Sequence, residues 1–198
     1  SGRMNHVHVI MGSTCDEDCL HETQDNDYEN YLENAKHYGK YEEEYKRVFP
    51  AENNEQAGRV ISVERTARTF AGMRLQADLQ QKQGMNAYLY SFTQNLPNAD
   101  GSLLGPFHSS ELVYQFGTLY TGWRPWREED YAASERMMNY WANFVKNGDP
   151  NGEGLPKWEK HVPGDDQCML LCADSKMGRV PHEEQVEFMT KCILEGVI

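Results

Sequence analysis

The order of its segments constrains this chain more than any single residue does. Residues 6–11 (His-Val-His-Val-Ile-Met) are a short β-branched run closed by Gly12, and residues 87–92 (Ala-Tyr-Leu-Tyr-Ser-Phe) are a second run, with helical sequence between them. Strands joined through helices pair in parallel by a right-handed crossover. The first run alternates incompletely, as a strand covered on both faces does. An α/β fold follows, with a mostly parallel sheet and flanking helices. Chemistry in such sheets gathers beyond the carboxyl ends of the strands, which marks two loops in advance: the one after Gly12 and the one after Phe92.

The crossover is unusually long because residues 25–50 form an acidic helical insertion. Tyr28, Tyr31, Tyr38, Tyr41 and Tyr45 recur within it at spacings that suit helix faces, Gly39 interrupts it and Pro50 ends it. The tyrosine stripe reads as helix packing with hydrated hydroxyls rather than as an aromatic ligand wall. Residues 62–83 predict a second helix on the period of Val63, Ala67, Phe70, Ala71, Arg74 and Leu75, with Gly84 as its stop. Residues 130–146 predict a third, with Met137, Met138, Trp141, Phe144 and Val145 on one face. The Asn/Asp/Gly-rich run 147–152 reads as a turn, lacking the regular oxygen ligands and closing Glu of a calcium loop. A late strand is expected at 168–173 and a closing helix at 181–194. With no repeat or low-complexity linker, residues 1–198 read as a single α/β unit, with Met4 as a start preceded by an added remnant.

Composition narrows the partners. Nineteen Lys+Arg against 31 Asp+Glu give a net charge of −12, which repels phosphate backbones and anionic membrane surfaces, so neither nucleic acid nor membrane is an expected partner. Hydrophobic residues at 39% and aromatics at 11% are enough for a packed core. No apolar run reaches about eighteen residues, and the opening residues lack the pattern of a signal peptide. Five cysteines (Cys15, Cys19, Cys168, Cys172 and Cys192) are an odd and sparse set, which favours a reducing, cytoplasmic location. The two C-x3-C pairs do not read as zinc ligands, since Cys168 and Cys172 on a strand would stand roughly 13 Å apart. No metal and no cofactor is expected.

The loops hold the chemistry. Gly12-Ser13-Thr14-Cys15-Asp16-Glu17-Asp18 follows the first strand, and Gly105-Pro106-Phe107-His108-Ser109-Ser110-Glu111-Leu112 follows the later one. A carboxylate and an imidazole on neighbouring strand-end loops are two parts of a nucleophile, base and orienter arrangement, in which the acid fixes the ring tautomer. Glu17 and His108 are the candidates.

These segments resemble the carboxyl-terminal portion of the type-B carboxylesterase and cholinesterase family of α/β-hydrolases. The run from Gly105 to Leu112, followed by Phe116-Gly117, resembles the family's catalytic-histidine loop. Met137-Met138-Asn139-Tyr140-Trp141-Ala142-Asn143-Phe144, leading into Gly148-Asp149-Pro150-Asn151 and Pro156-Lys157-Trp158, resembles its Tyr-Trp-Ala-Asn-Phe segment. Val9-Ile10-Met11-Gly12 through Asp16-Glu17 is similar to the strand and loop that present the catalytic acid. The resemblance implies catalytic roles for His108 and Glu17, with Glu111 as a buried carboxylate supporting the pair from behind. Two positions depart from the pattern. Asp18 stands where the family has Gly, and Arg127, a poor N-cap, stands where a threonine caps the helix.

The family's serine elbow, Gly-x-Ser-x-Gly, and its glycine-rich oxyanion loop do not occur, and Ser13, Ser102, Ser109 and Ser110 lack the required flanking glycines. The expectation is a partial α/β-hydrolase with an incomplete sheet, keeping base and acid while the nucleophile lies upstream. Such a chain would be inactive alone, and its ester substrate is not specified by these residues. The alternatives are a non-catalytic cholinesterase-like interaction or scaffold domain, or a subunit pairing with an upstream chain. A cut sheet face would favour a homo-oligomer.

Overall fold

The structure, a computed structural model, describes residues 5–198, so the expected start at Met4 lies outside the described residues. Strand β1 (Val9–Thr14) pairs in parallel with β2 (Ala87–Phe92), with Val9 opposite Ala87 and Thr14 opposite Phe92. On its other side β2 pairs in parallel with β5 (Gln167–Leu171), and β5 pairs antiparallel with β6 (Lys176–Arg179), giving the order β1-β2-β5-β6. All six residues of β2 are buried, as expected of a central strand. Its alternation divides the core: Ala87 and Leu89 join one cluster, while Tyr88, Tyr90 and Phe92 join the other.

The crossover runs through α1 (Asp27–His37), a 3-10 turn (Gly39–Tyr41), α2 (Glu42–Val48) and α3 (Asn54–Lys82). Gly39 breaks the insertion at φ +55°, as its sequence position suggested. Helix α3 starts eight residues before the expected 62, because Asn53 caps it, its side chain accepting from Gln56 N at 3.0 Å. The first turn, Asn54-Glu55-Gln56, is polar, so apolar periodicity could not locate that start. The tyrosines do pack, with Tyr38 and Tyr45 stacked at 4.4 Å and both rings against Phe188. Their hydroxyls correct the expectation of hydration: Tyr38 and Tyr45 each donate to Glu64 of α3 at 2.7 Å.

Beyond β2 lie a two-stranded hairpin, β3 (Leu96–Pro97) and β4 (Leu103–Leu104), then α4 (Leu112–Gln115) and α5 (Glu128–Asn147). The hairpin and β6 are too short for period-two patterning to reveal. The buried side of α5 is Ala133, Ser134, Met137 and Tyr140, whereas Met138 and Val145 are exposed, contrary to the expected face. Arg127 supplies no cap acceptor, yet the helix start is closed from the other direction: Asp130 accepts from Arg127 N and from Arg127 Nε, both at 2.9 Å. Gly148 ends α5 at φ +70°. In the turn beyond it, Asn151 binds both the N–H and the carbonyl of Trp158, and Trp158 Nε1 donates to Leu89 O at 3.0 Å, closing one face of β2. The late strand ends at Leu171 rather than Ala173, and the closing helix α6 (Glu183–Leu194) starts two residues after Pro181. No disulfide forms among the described residues, and no described helix is long and apolar enough to cross a membrane.

Candidate active site

Gly12 lies inside β1 rather than opening the loop after it. It pairs with Tyr90, and a side chain at this position would collide with the Tyr90 carbonyl and ring, so the site admits only glycine. Strand pairing continues one residue further through Cys15 N to Phe92 O, and the chain then turns into the acid loop. Two hydroxyls one helical turn apart on α3 hold that loop. Thr66 Oγ1 accepts from Glu17 N at 3.0 Å, and Ser62 Oγ accepts from Asp18 N at 3.2 Å while donating to Asp16. Both hydroxyl residues are buried. Asp18 does not adopt positive φ, so this backbone position has no need of the family's glycine, and its carboxylate pairs with Arg65 at 3.0 Å.

The histidine loop meets the acid loop through both backbone and side chain. His108 N donates to Glu17 O at 3.1 Å, and His108 Nδ1 lies 2.6 Å from Glu17 Oε2. The other carboxylate oxygen, Oε1, accepts from Thr14 N at 2.8 Å. Glu17 is thereby fixed by three partners, with its side chain 9% exposed, while the imidazole is 80% exposed. A carboxylate can only accept, so Nδ1 carries a proton toward Glu17, and in the neutral tautomer that this contact selects Nε2 is the nitrogen with the free lone pair. Among the described residues Glu17 is the only hydrogen-bond partner of the ring, and no hydroxyl reaches Nε2. The thiol of Cys19 donates to Gly105 O at 3.3 Å, adding a further tie between the loops.

Glu111 lies behind the dyad. Burial pushes its carboxyl up; backbone hydrogen bonding opposes this, and the neighbouring Glu17 charge adds to it. One of its oxygens, Oε2, is buried without a partner among the described residues, as are Oγ of the adjacent Ser110 and Oγ of Ser13 on the acid loop's strand. A cavity of about 470 Å³ opens over this group, lined by Gly12, Ser13, Glu17, Arg65, His108 and Glu111 among others. Cysteine is a poor nucleophile here: burial, reinforced by Asp16, pushes the Cys15 thiol up to about 12 and the Cys19 thiol up to about 11, so both stay protonated near neutrality. Among the described residues, no three His, Cys, Asp or Glu side chains are placed to hold a metal ion.

The structure therefore brings His108, Glu17 and Glu111 into one site. Ser62 and Thr66 were not singled out in the sequence. Their signal was a pair of small hydroxyl residues at i and i+4 on the face of a helix that otherwise buries apolar side chains.

An acylcarnitine hydrolase of Rattus norvegicus is 32% identical over 122 residues, covering 59% of this chain and 21% of that protein. A carboxylesterase 5A of Felis catus is 32% identical over 119 residues, covering 56% and 22%, and a cocaine esterase of Homo sapiens is 33% identical over 115 residues, covering 56% and 20%. The matched part thus spans about a fifth of the length of these relatives. The profile of the carboxylesterase family matches residues 5–189, nearly the whole chain, and the chain belongs to that family.

Proposed function

We propose that this chain carries the general base and the orienting acid of a serine carboxylic ester hydrolase, with His108 as base, Glu17 as its orienting carboxylate and Glu111 as buried support. The observation that carries this reading is the 2.6 Å contact from His108 Nδ1 to a carboxylate that is itself held by Thr14 N, with the loop's backbone anchored to Thr66. Nε2 removes the proton of a serine hydroxyl as its oxygen attacks the ester carbonyl. The tetrahedral intermediate collapses, and the same proton passes from Nε2 to the departing alcohol. Water repeats the sequence on the acyl-enzyme, releasing the carboxylic acid and restoring the serine. Throughout, Glu17 holds the ring and stabilises the imidazolium that forms. The serine and the oxyanion donors are assigned to a segment outside these 198 residues, and the chain alone is expected to be inactive.

Relatives named as a carboxylesterase and a cocaine esterase support a small-molecule ester as substrate. The test is kinetic, on the protein extended upstream through its serine. His108→Ala should lower kcat for a p-nitrophenyl ester by about a million-fold and Glu17→Gln by about ten-thousand-fold. Turnover by the 198-residue chain itself that vanished with His108→Ala would overturn the assignment of the serine, and turnover by the extended protein that survived it would overturn the assignment of the base.

Residues 1–198 are proposed as one part of a single α/β unit that includes the acidic insertion at about 25–50. Five unpaired thiols support a cytoplasmic, thiol-preserving location, which complete alkylation of all five after acid quenching would check.

A further inference from the structure

Helix α3 carries four arginines: Arg59, Arg65, Arg68 and Arg74. Three are engaged. Arg59 pairs with Glu55, Arg65 pairs with Asp18 at 3.0 Å, and Arg74 donates to Thr190 Oγ1 at 2.9 Å. Arg68 is the only arginine among the described residues that makes no ion pair or hydrogen bond there. The acid one turn before it, Glu64, is occupied: its oxygens accept from Asn34 Nδ2 at 3.0 and 2.8 Å and from the hydroxyls of Tyr38 and Tyr45 at 2.7 Å.

Arg68 lines a cavity of about 310 Å³ walled by α1, α2 and α3. Tyr31, Tyr45 and Ile61 supply its apolar lining, Asn30 and Thr69 add neutral polar groups, and of the two other charged residues in its wall Glu64 is held by Asn34, Tyr38 and Tyr45 while Arg65 pairs with Asp18. Its aromatic wall is already ordered, since Tyr31 and Tyr45 pack at 5.7 Å and Tyr45 is fully buried. A ligand would lose little free energy in arranging it. Arg65 and Thr69 line both this cavity and the one over His108, so the two adjoin along one face of α3. The size suits a ring or a short aliphatic arm, and the one charged side chain in its wall without a partner among the described residues is a planar cation that binds carboxylates through two parallel hydrogen bonds.

We infer that this cavity is a carboxylate-binding subsite beside the His108–Glu17 dyad, taking the anionic end of an aryl or short aliphatic chain on Arg68. The consequence for substrate class rests on the esterase reading: the preferred ester bears a carboxylate on its remote arm, as a half-ester of a dicarboxylic acid does.

Binding can be measured without turnover. The ¹⁵N-labelled 198-residue chain is titrated with phenylacetate and with its neutral isostere phenylacetamide, reading the amide signals of Asn30, Asn34 and Thr69. Phenylacetate should shift these signals saturably, and phenylacetamide should bind about tenfold more weakly. Arg68→Gln should weaken phenylacetate by about tenfold, while Arg68→Lys, which keeps the charge without the planar fork, should fall between. Arg68 is exposed, so the variants should fold, and an otherwise unchanged amide spectrum verifies this. Equal binding of the amide, unchanged binding by Arg68→Gln, or no saturable shift each overturns the subsite. Absence of ester turnover in the protein extended upstream through its serine, with phenylacetate binding by the 198-residue chain intact, would instead count against the hydrolase reading alone.

Discussion

Ser109 follows the dyad imidazole in sequence and adopts the left-handed region at φ +67°, where a β-carbon is strained. Ser109→Gly should relieve that strain and, after the added freedom of the unfolded chain is offset, stabilise the protein by about 0.5–1 kcal/mol in urea unfolding. Glu111 gives a prediction in pH. Its folded carboxyl holds its proton to higher pH than the unfolded one, so its contribution to stability is greatest below the ordinary value near 4.5 and is lost as pH rises above it. Glutamine cannot ionise. The melting temperature of Glu111→Gln relative to the parent should therefore increase between about pH 4 and about pH 7, and a difference that stays flat would show that Glu111 is not titrating from a buried position. At this scale the site was largely legible in the sequence. His108 and Glu17 sit in loops whose motifs are local, and a motif survives without knowledge of the fold. The orphaned Oε2 of Glu111 and the strain at Ser109 depend on how those loops pack, which no local pattern records.

Among the elements, α3 does more than cross between β1 and β2. It buries one face in the core, anchors the acid loop through Ser62 and Thr66, and carries Arg65, Arg68 and Thr69 along the side facing the cavities. Thr66→Ala leaves Glu17 N without its acceptor, a loss of about 1–3 kcal/mol for a buried group. Hydrogen exchange at the Glu17 amide should quicken in Thr66→Ala and recover in Thr66→Ser, and equal protection in all three would remove Thr66 from the positioning of the acid. Strand β2 and the break at Gly39 were readable because their signals are strong and local, a β-rich run and a residue suited to positive φ. The α3 start, the two-residue strands and β6 were not. Asn53 caps a polar stretch, and edge strands such as Lys176–Arg179 carry charge where a pattern search looks for apolar alternation. The Arg127 position shows the limit of reading caps from one residue, since the closing carboxylate comes from Asp130 three positions on.

As a whole, the molecule is a parallel three-stranded layer with one antiparallel edge strand, helices on both faces, and the α/β-hydrolase architecture of its family. Within the described residues β1 pairs only with β2, which leaves its other edge free, and Phe116, Tyr120 and Trp123 are exposed large aromatics. A free edge together with exposed aromatic rings supports self-association of the isolated chain as a homo-oligomer. Light scattering at micromolar concentration should give a mass above the 22.8 kDa of one chain, and a clean monomer would contradict it. Charge opposes the association without preventing it, so added salt should raise the oligomeric fraction by screening a net −12 per copy.

The sequence by itself determined the α/β class and the family, and it pointed to the two loops and to His108, Glu17 and Glu111 as candidates, because each is written in contiguous residues or in the order of segments. Only the tertiary structure decided that Glu17 meets His108 at both backbone and side chain, that Ser62 and Thr66 fix the acid loop from 44 and 49 residues away, and that Arg68 lines a cavity without a partner among the described residues. The physical reason is that hydrogen-bond satisfaction and charge pairing are properties of neighbours in space, and α3 brings together neighbours that the sequence holds far apart.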